Sequence, residues 1–389
     1  MQENFDEKAI RAYRLNHVRQ GLRDADYGGI VVFDPVNLRY ATGSRNMQVW
    51  TMHNFCRYGF IPTEGPVVLF DLPSSSHLSK HLETIDEIRP SLACDYMMVG
   101  SRSEEFAHRW AQEIADFTGS DKDTRIAIDR ADLLMTQAAE KQGLSLVDGK
   151  PIMEYVRAIK SDDEIAAFKF SLTTCEQSVG ELRNVIQPGM RESEALAILI
   201  KSSIDHGGEY PETRLLTSGP RTNPWFQETS DRVIHDGDML SFDTDLIGPM
   251  GFYNDIPRSW IIGEKKPTGQ QQRLYYIALE QLQHNIDLLR PGISFLEYSD
   301  KAYQLPDSCI ENRYADVAHG CGLGVEYPLI WYREDEQWGA YDGVFEENMI
   351  VCVECYIGET GGKEGIKLEQ PVWISTDGPV VLSDYSLSL

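Results

Sequence analysis

The first third of the chain alternates short apolar runs with stretches of helical spacing. GGIVVFD (Gly28 to Asp34), GPVVLFD (Gly65 to Asp71) and RIAID (Arg125 to Asp129) are uninterrupted enough to be buried strands. Between them, residues 103–117 carry apolar positions at about the helical period, and a second helical run ends near Gly143. Strands alternating with helices predict an α/β layer structure. The register changes near residue 160. Ser161-Asp-Asp-Glu164 has the form of a capping box, in which serine and glutamate satisfy free amides at a helix start. A long amphipathic stretch follows to about Ile186, which places a domain boundary between Pro151 and Ser161: an N-terminal domain of residues 1–155 and a second of residues 156–389.

The second part carries an internal echo. Val185-Ile-Gln-Pro-Gly-Met190 and Leu288-Leu-Arg-Pro-Gly-Ile293 each end a long helix, turn on Pro-Gly and open another. Their spacing is about half of that domain, so two similar halves are expected, with a site along their seam.

Composition narrows the function. Apolar residues make up 42% and charged residues 25%, as in an ordinary globular protein. Acidic residues outnumber basic ones 61 to 36, giving a formal charge of −25. That field repels phosphate backbones and anionic membranes, so neither nucleic acid nor membrane is an expected partner. No apolar run reaches the ~20 residues that cross a bilayer, and the opening MQENFDEKA has neither the basic nor the apolar part of a secretion signal. The 7 cysteines are scattered and odd in number, which fits reduced thiols in a cytoplasmic protein. Cys352 and Cys355 form a Cys-x-x-Cys pair, but MIVCVECYIG reads as a buried strand rather than a redox or zinc motif.

Candidate chemistry concentrates in SFDTDLIGPMGFYNDIPRSW. Asp243 and Asp245 are two apart in a segment read as extended, so both carboxylates project from one face. Gly248, Pro249 and Gly251 reverse the chain, and Asp255 returns on the partner strand. Three carboxylates this close repel unless protons or cations intervene. The flanks, Leu240, Phe242, Phe252 and Trp260 among them, are too apolar for a solvated acidic hairpin. His319 follows between glycines in AHGCGLG, then Glu354 and Glu369, each inside an apolar strand-like run where an unpaired carboxylate is costly. One imidazole among many oxygens suits two divalent transition-metal ions, with iron, manganese, cobalt and zinc all compatible. Two such ions neutralise four carboxylates. The fifth, from Asp243 or Asp245, leaves a surplus negative charge or marks one of the pair as protonated or set back from the ions, and Arg214, Arg221 and Arg258 are candidate partners for a carboxylate there. Gly219-Pro220 and Gly361-Gly362 mark loops at the site's rim.

The order and spacing of these acids resemble the pita-bread fold of methionine aminopeptidases, aminopeptidase P, prolidases and creatinase. The resemblance implies a creatinase-like α/β N-terminal domain, a pseudo-symmetric α+β catalytic domain, a two-metal site and a homodimer. Peptidases of that group carry a second histidine where this chain has Glu326, and another near Trp225 and Phe226, where this chain has none. A closer resemblance, from about Tyr27 onward, is to the dimethylsulfoniopropionate lyases of the same fold, the DddP family. It rests on Asp243-Thr244-Asp245 and on the segments FDPVNLRYATGSRNMQVW and TRLLTSGPRTNPWFQE. It implies Asp243, Asp245, Asp255, His319, Glu354 and Glu369 as metal ligands and Trp50, Tyr314 and Trp225 as substrate-binding residues. Tyr314 is also expected to take part in catalysis. Val325 stands where those lyases carry the aspartate proposed as base, so Glu326 is expected in that role. The expected activity is elimination from a small zwitterionic acid. The alternatives are metal-dependent C–N hydrolysis of the Xaa-Pro type and a catalytically silent pita-bread binding module.

Overall fold

The computed structural model describes residues 5–118 and 124–389. The chain divides into two compact units, Asp6–Arg157 and Ala158–Leu389. The segment in which the sequence places a boundary is helical, Lys150–Ala158.

The first unit is built on a mixed six-stranded sheet. Its spatial order is Glu87–Pro90, Val68–Asp71, Tyr58–Pro62, Gly29–Val32, Arg125–Ile128 and Ser145–Asp148. The three apolar runs singled out above supply three of these strands, and the helical stretches become Ser103–Thr118 and Leu133–Gln142. Ala107, Trp110, Ala111 and Ile114 of the first helix close over Val31, Tyr58, Phe60 and Phe70 of the sheet, forming one apolar core.

The second unit opens with helix Asp162–Val185, whose Ser161–Glu164 capping box forms in both directions. The echo noted in the sequence has a structural counterpart. After the first Pro-Gly turn, Gly189 N–H donates to the Ile234 carbonyl at 2.9 Å, and Ile234 N–H to Met190 at 2.8 Å. After helix Gly269–Leu288 and the second turn, Gly292 N–H donates to Phe345 at 2.9 Å, and Phe345 N–H to Ile293 at 3.0 Å. Each brace leads directly into a strand of the site, Met239–Phe242, which runs up to Asp243, in one half and Ile350–Gly358, which carries Glu354, in the other.

Strand Ile350–Gly358 pairs antiparallel with Gly365–Ser375 and with Asp316–Cys321 in a five-stranded sheet. Val351, Val353, Cys355 and Ile357, with Ile366 and Leu368, pack against Leu274, Ala278 and Leu282 of helix Gly269–Leu288. Period-2 alternation sends the intervening residues, Cys352, Glu354, Lys367 and Glu369, to the opposite face. Both faces are buried, which is why MIVCVECYIG reads as continuous apolar strand. All 7 cysteines are buried and free.

One local expectation changes. Asp243-Thr-Asp245 is not a regular extended segment: strand Met239–Phe242 ends before it, and Asp245 has a left-handed φ of 40°. The chain then switches sheets, forming the hairpin Leu246–Ile247/Tyr253–Asn254 before Arg258–Ile261 returns beside Met239–Phe242.

Candidate metal centre and its cleft

Each of the six expected ligands is buried in the second unit, and they converge. Asp243, Asp245 and Asp255 each offer an oxygen within 4.8 Å of the others. His319 Nε2 lies 3.3 Å from Glu369 Oε1, 3.7 Å from Glu354 Oε1 and 4.0 Å from Asp255 Oδ2. Cross-strand pairing places Glu354 directly opposite Glu369. Thr244 holds the first group in place: its Oγ1 donates to Asp255 Oδ1 at 3.1 Å and accepts from Ile256 N–H at 2.8 Å. Tyr253 donates to Asp255 Oδ2 at 2.5 Å and also to Asp245, which in turn receives Thr213.

The sequence reading missed Lys367. It is fully buried two residues before Glu369, on the same strand face, with Nζ 2.9 Å from Glu369 Oε2, 3.7 Å from Asp243 Oδ2 and against Glu354. None of the arginines proposed as partners for the fifth acid reaches the cluster. Arg258 donates to the Glu369 and Tyr385 carbonyls, Arg221 pairs with Glu192, and Arg214 faces Glu228. Cys352 also comes within 4.8 Å of His319 and Glu369 ligand atoms, beyond the strand role expected of it.

Burial is the largest influence on Asp243, Asp245, Asp255 and Glu354. It drives Asp243 and Glu354 well above the ordinary carboxylate range, and lifts Asp245 to about 7 with added repulsion from Asp255. Burial also opposes charge on His319 and Lys367. The surrounding carboxylates outweigh it, and both are driven upward. Asp243 Oδ1, Glu354 Oε1 and Glu369 Oε1 are buried with no hydrogen bond of good geometry among the described residues. Orphaned buried anionic oxygens facing one imidazole are what a hard or borderline cation would satisfy.

A cleft of about 460 Å³ opens onto this cluster. Its wall outside the ligand set includes Glu212, Glu228, Asp316, Tyr314, Phe226 and Val325. Burial, then Asp245 and Asp255, raises Glu212 to about 7. Tyr314 holds its proton firmly, chiefly through burial and next through Glu354.

Two expected residues lie outside the cleft lining, and a third belongs to the first unit. Glu326 does not face the cleft. Val325 does, and in a strand the next side chain turns to the other side, where Glu326 Oε1 accepts from buried Lys160 Nζ at 2.5 Å. Trp225 is buried against Tyr356, ring centroids 5.6 Å apart, while its neighbour Phe226 takes the cleft position. Trp50 belongs to the first unit, on helix Gln48–His53, with its ring exposed. The glycines around His319 serve their own hairpin: a Cβ on Gly320 would lie 2.2 Å from the Tyr327 carbonyl oxygen, and one on Gly322 2.2 Å from Glu326 Oε1.

Comparison with known proteins adds to this geometry. Residues 167–376 match metallopeptidase family M24, and residues 14–159 match the creatinase/prolidase N-terminal domain. The chain is 37% identical to the dimethylsulfoniopropionate lyase DddP of Roseovarius nubinhibens, over 98% of this chain and 87% of that one. It is 35% identical to the DddP of Roseobacter denitrificans over the same shares. Among solved structures, the Xaa-Pro dipeptidase from Bacillus anthracis superposes with a TM-score of 0.78 at 19% identity, covering 97% of this chain and 99% of that one. At that identity the likeness speaks for the fold.

Proposed function

The chain belongs to metallopeptidase family M24, and from that premise we propose that it is a metal-dependent lyase of a small sulfonium carboxylate, releasing dimethyl sulfide from dimethylsulfoniopropionate and leaving acrylate. The observation that carries this reading is the cleft wall. Outside the ligand cluster it carries acids (Glu212, Glu228, Asp316) and aromatic rings (Phe226, Tyr253, Tyr314) beside Thr213 and the aliphatic Leu215, Val325 and Leu329, with no lysine, arginine or additional histidine among the described lining residues. Such a wall accepts a cation and offers no imidazole to protonate the nitrogen of a departing amine.

The ligand set fits two divalent transition ions, of iron, manganese, cobalt or zinc, held by Asp243, Asp245, Asp255, His319, Glu354 and Glu369. Lys367 completes the charge balance: five carboxylates against two dications leave one negative charge, and its ammonium supplies the counterpart. Bound there, such ions would supply Lewis-acid chemistry, attracting a carboxylate and stabilising negative charge that develops beside it.

The chain's own residues do the rest. Glu326 is turned away, so we assign the proton transfer to Glu212, whose raised pKa suits a base near neutral pH. Its carboxylate takes the proton from the carbon next to the substrate carboxylate. The C–H electron pair becomes the new C=C bond, the Cβ–S bond breaks, and sulfur leaves with that bond's pair as neutral dimethyl sulfide. Glu212 then returns its proton to solvent. Tyr314, which keeps its own proton, orients the substrate. A small-molecule substrate and a homodimer complete the reading.

Metal-loaded protein given dimethylsulfoniopropionate should release dimethyl sulfide into the headspace and leave Xaa-Pro dipeptides intact. Glu212→Gln should lower kcat by about 100-fold or more, the usual worth of a positioned base. Dipeptide cleavage without sulfide release would overturn the lyase in favour of the hydrolase.

A further inference from the structure

Phe226 is a large apolar side chain left 64% exposed, and it lines the cleft. Its φ is 66°, in the left-handed region, which a bulky residue occupies only where its surroundings fix it and which clusters at functional sites. The ring stacks on Tyr314, centroids 5.2 Å apart and planes 29° from parallel. Tyr314 already serves a cation, with Lys367 Nζ 4.5 Å from its ring centroid. Of the aromatic rings lining the cleft, Phe226 is the most exposed, while Tyr253 is buried and Tyr314 has Lys367 over its ring, and Glu212, Glu228 and Asp316 supply negative charge on the same wall.

What fixes Phe226 lies outside the cleft. Glu192, fully buried at the start of helix Glu192–Asp205, gathers both ends of the segment 218–230 onto one carboxylate. Its Oε1 accepts from Ser218 N–H at 2.8 Å and Ser218 Oγ at 2.9 Å. Its Oε2 accepts from Arg221 Nε at 3.1 Å, Ser230 N–H at 3.1 Å and Ser230 Oγ at 2.7 Å. Midway, Asn223 Nδ2 donates to the Glu359 and Gly362 carbonyls at 2.9 and 3.0 Å. A loop tied at both ends and in its middle holds Phe226 in an otherwise unfavourable backbone conformation.

We propose that Phe226 is the specificity-determining wall for the onium end of the substrate, with Glu192 as its positioning residue. The inference deepens the sulfonium reading above and rests on it. An aromatic face beside acids recognises a methylated sulfonium or quaternary ammonium, whereas a merely apolar wall does not distinguish charge.

The test compares two ligands that undergo no elimination to a sulfide and differ only in charge: 3-(trimethylammonio)propionate and its neutral-headed isostere 4,4-dimethylpentanoate. Their affinities for metal-loaded wild type, Phe226→Leu, Phe226→Trp and Glu192→Gln are measured by calorimetry. Wild type should prefer the ammonium by about tenfold, the scale of a partly desolvated cation–π contact. Phe226→Leu should bring the ratio close to one with little change for the neutral ligand, and Phe226→Trp should keep or raise it. Glu192→Gln should shift the ratio as Phe226→Leu does, at unchanged metal content. A preference that survives Phe226→Leu overturns the inference alone, and absence of preference in wild type overturns both it and the sulfonium reading. A preference lost in Phe226→Leu, in a protein that releases no sulfide, supports the inference and removes the elimination.

Discussion

Two adjacent positions carry the sharpest lesson about single residues. Val325 is half exposed and lines the cleft, while Glu326 is buried on the strand's other side with Lys160. Proximity along the chain made Glu326 look able to replace a base lost at 325. Strand geometry forbids it, because neighbouring side chains diverge and only i and i+2 share a face. The same holds for Lys367 and Glu369, whose i, i+2 spacing in GIKLEQ puts the ammonium beside the ligand. That signal was available in the sequence, but a lone lysine in a strand reads as a solvent-facing position, and nothing local shows that both faces are covered. Replacing Glu326 with Gln should therefore act on stability, not chemistry. Breaking a buried ion pair from one side costs about 3–5 kcal/mol, so a markedly lower denaturation midpoint is expected, with kcat per folded molecule within about twofold of wild type. A base at 326 would instead show as a collapse of kcat at unchanged stability.

At the scale of elements, legibility followed burial. Strands covered on both faces, such as Gly29–Val32, Val68–Asp71 and Ile350–Gly358, are continuous apolar runs and stand out. The carboxylates were conspicuous because they interrupt such runs. The short pieces Leu246–Ile247 and Tyr253–Asn254, where the chain changes sheets, give no periodic signal, and so the twist at Asp245 went unread. The joint between Arg125–Ile128 and helix Pro35–Thr42 was equally silent. Asp129 there accepts from Phe33 N–H at 2.7 Å, Asp34 N–H at 3.1 Å and Asn37 Nδ2 at 3.0 Å. Burial outweighs these bonds and raises its pKa to about 6. A carboxyl raised on folding favours the native state while both forms are protonated, below pH 4, and that contribution is lost as pH climbs through 6. The loss is on the order of 2–3 kcal/mol. In Asp129→Asn the N-terminal unit's stability should change less between pH 4 and pH 7 than in wild type, by chemical denaturation at both values. An equal change in the two proteins would place the titration elsewhere.

For the molecule as a whole, the acidic excess and the seam of the second unit belong to one argument. The two helix–turn–strand braces deliver ligands from both halves: Asp243, Asp245 and Asp255 from the first, and His319, Glu354 and Glu369 from the second. So many buried carboxylates in one place are tolerable only protonated or with cations, and Lys367 and His319 offset part of the charge. Metal-free and metal-loaded protein should then respond to pH in opposite senses. Without metal, Asp243, Asp245, Asp255 and Glu354 have folded-state pKa values raised above their unfolded ones, Asp245 to about 7. Native protein binds more protons than unfolded protein across that range, so stability falls as pH rises from about 4 toward 7. With metal, the ligands must be ionised, binding releases protons, and the stabilisation grows over the same interval. Thermal unfolding after chelation should show Tm declining with pH, and reloading with a divalent transition ion should reverse the slope and raise Tm most at pH 7. Parallel slopes in the two forms would mean that these acids do not titrate with the ion, and the cluster would lose its standing as a metal centre.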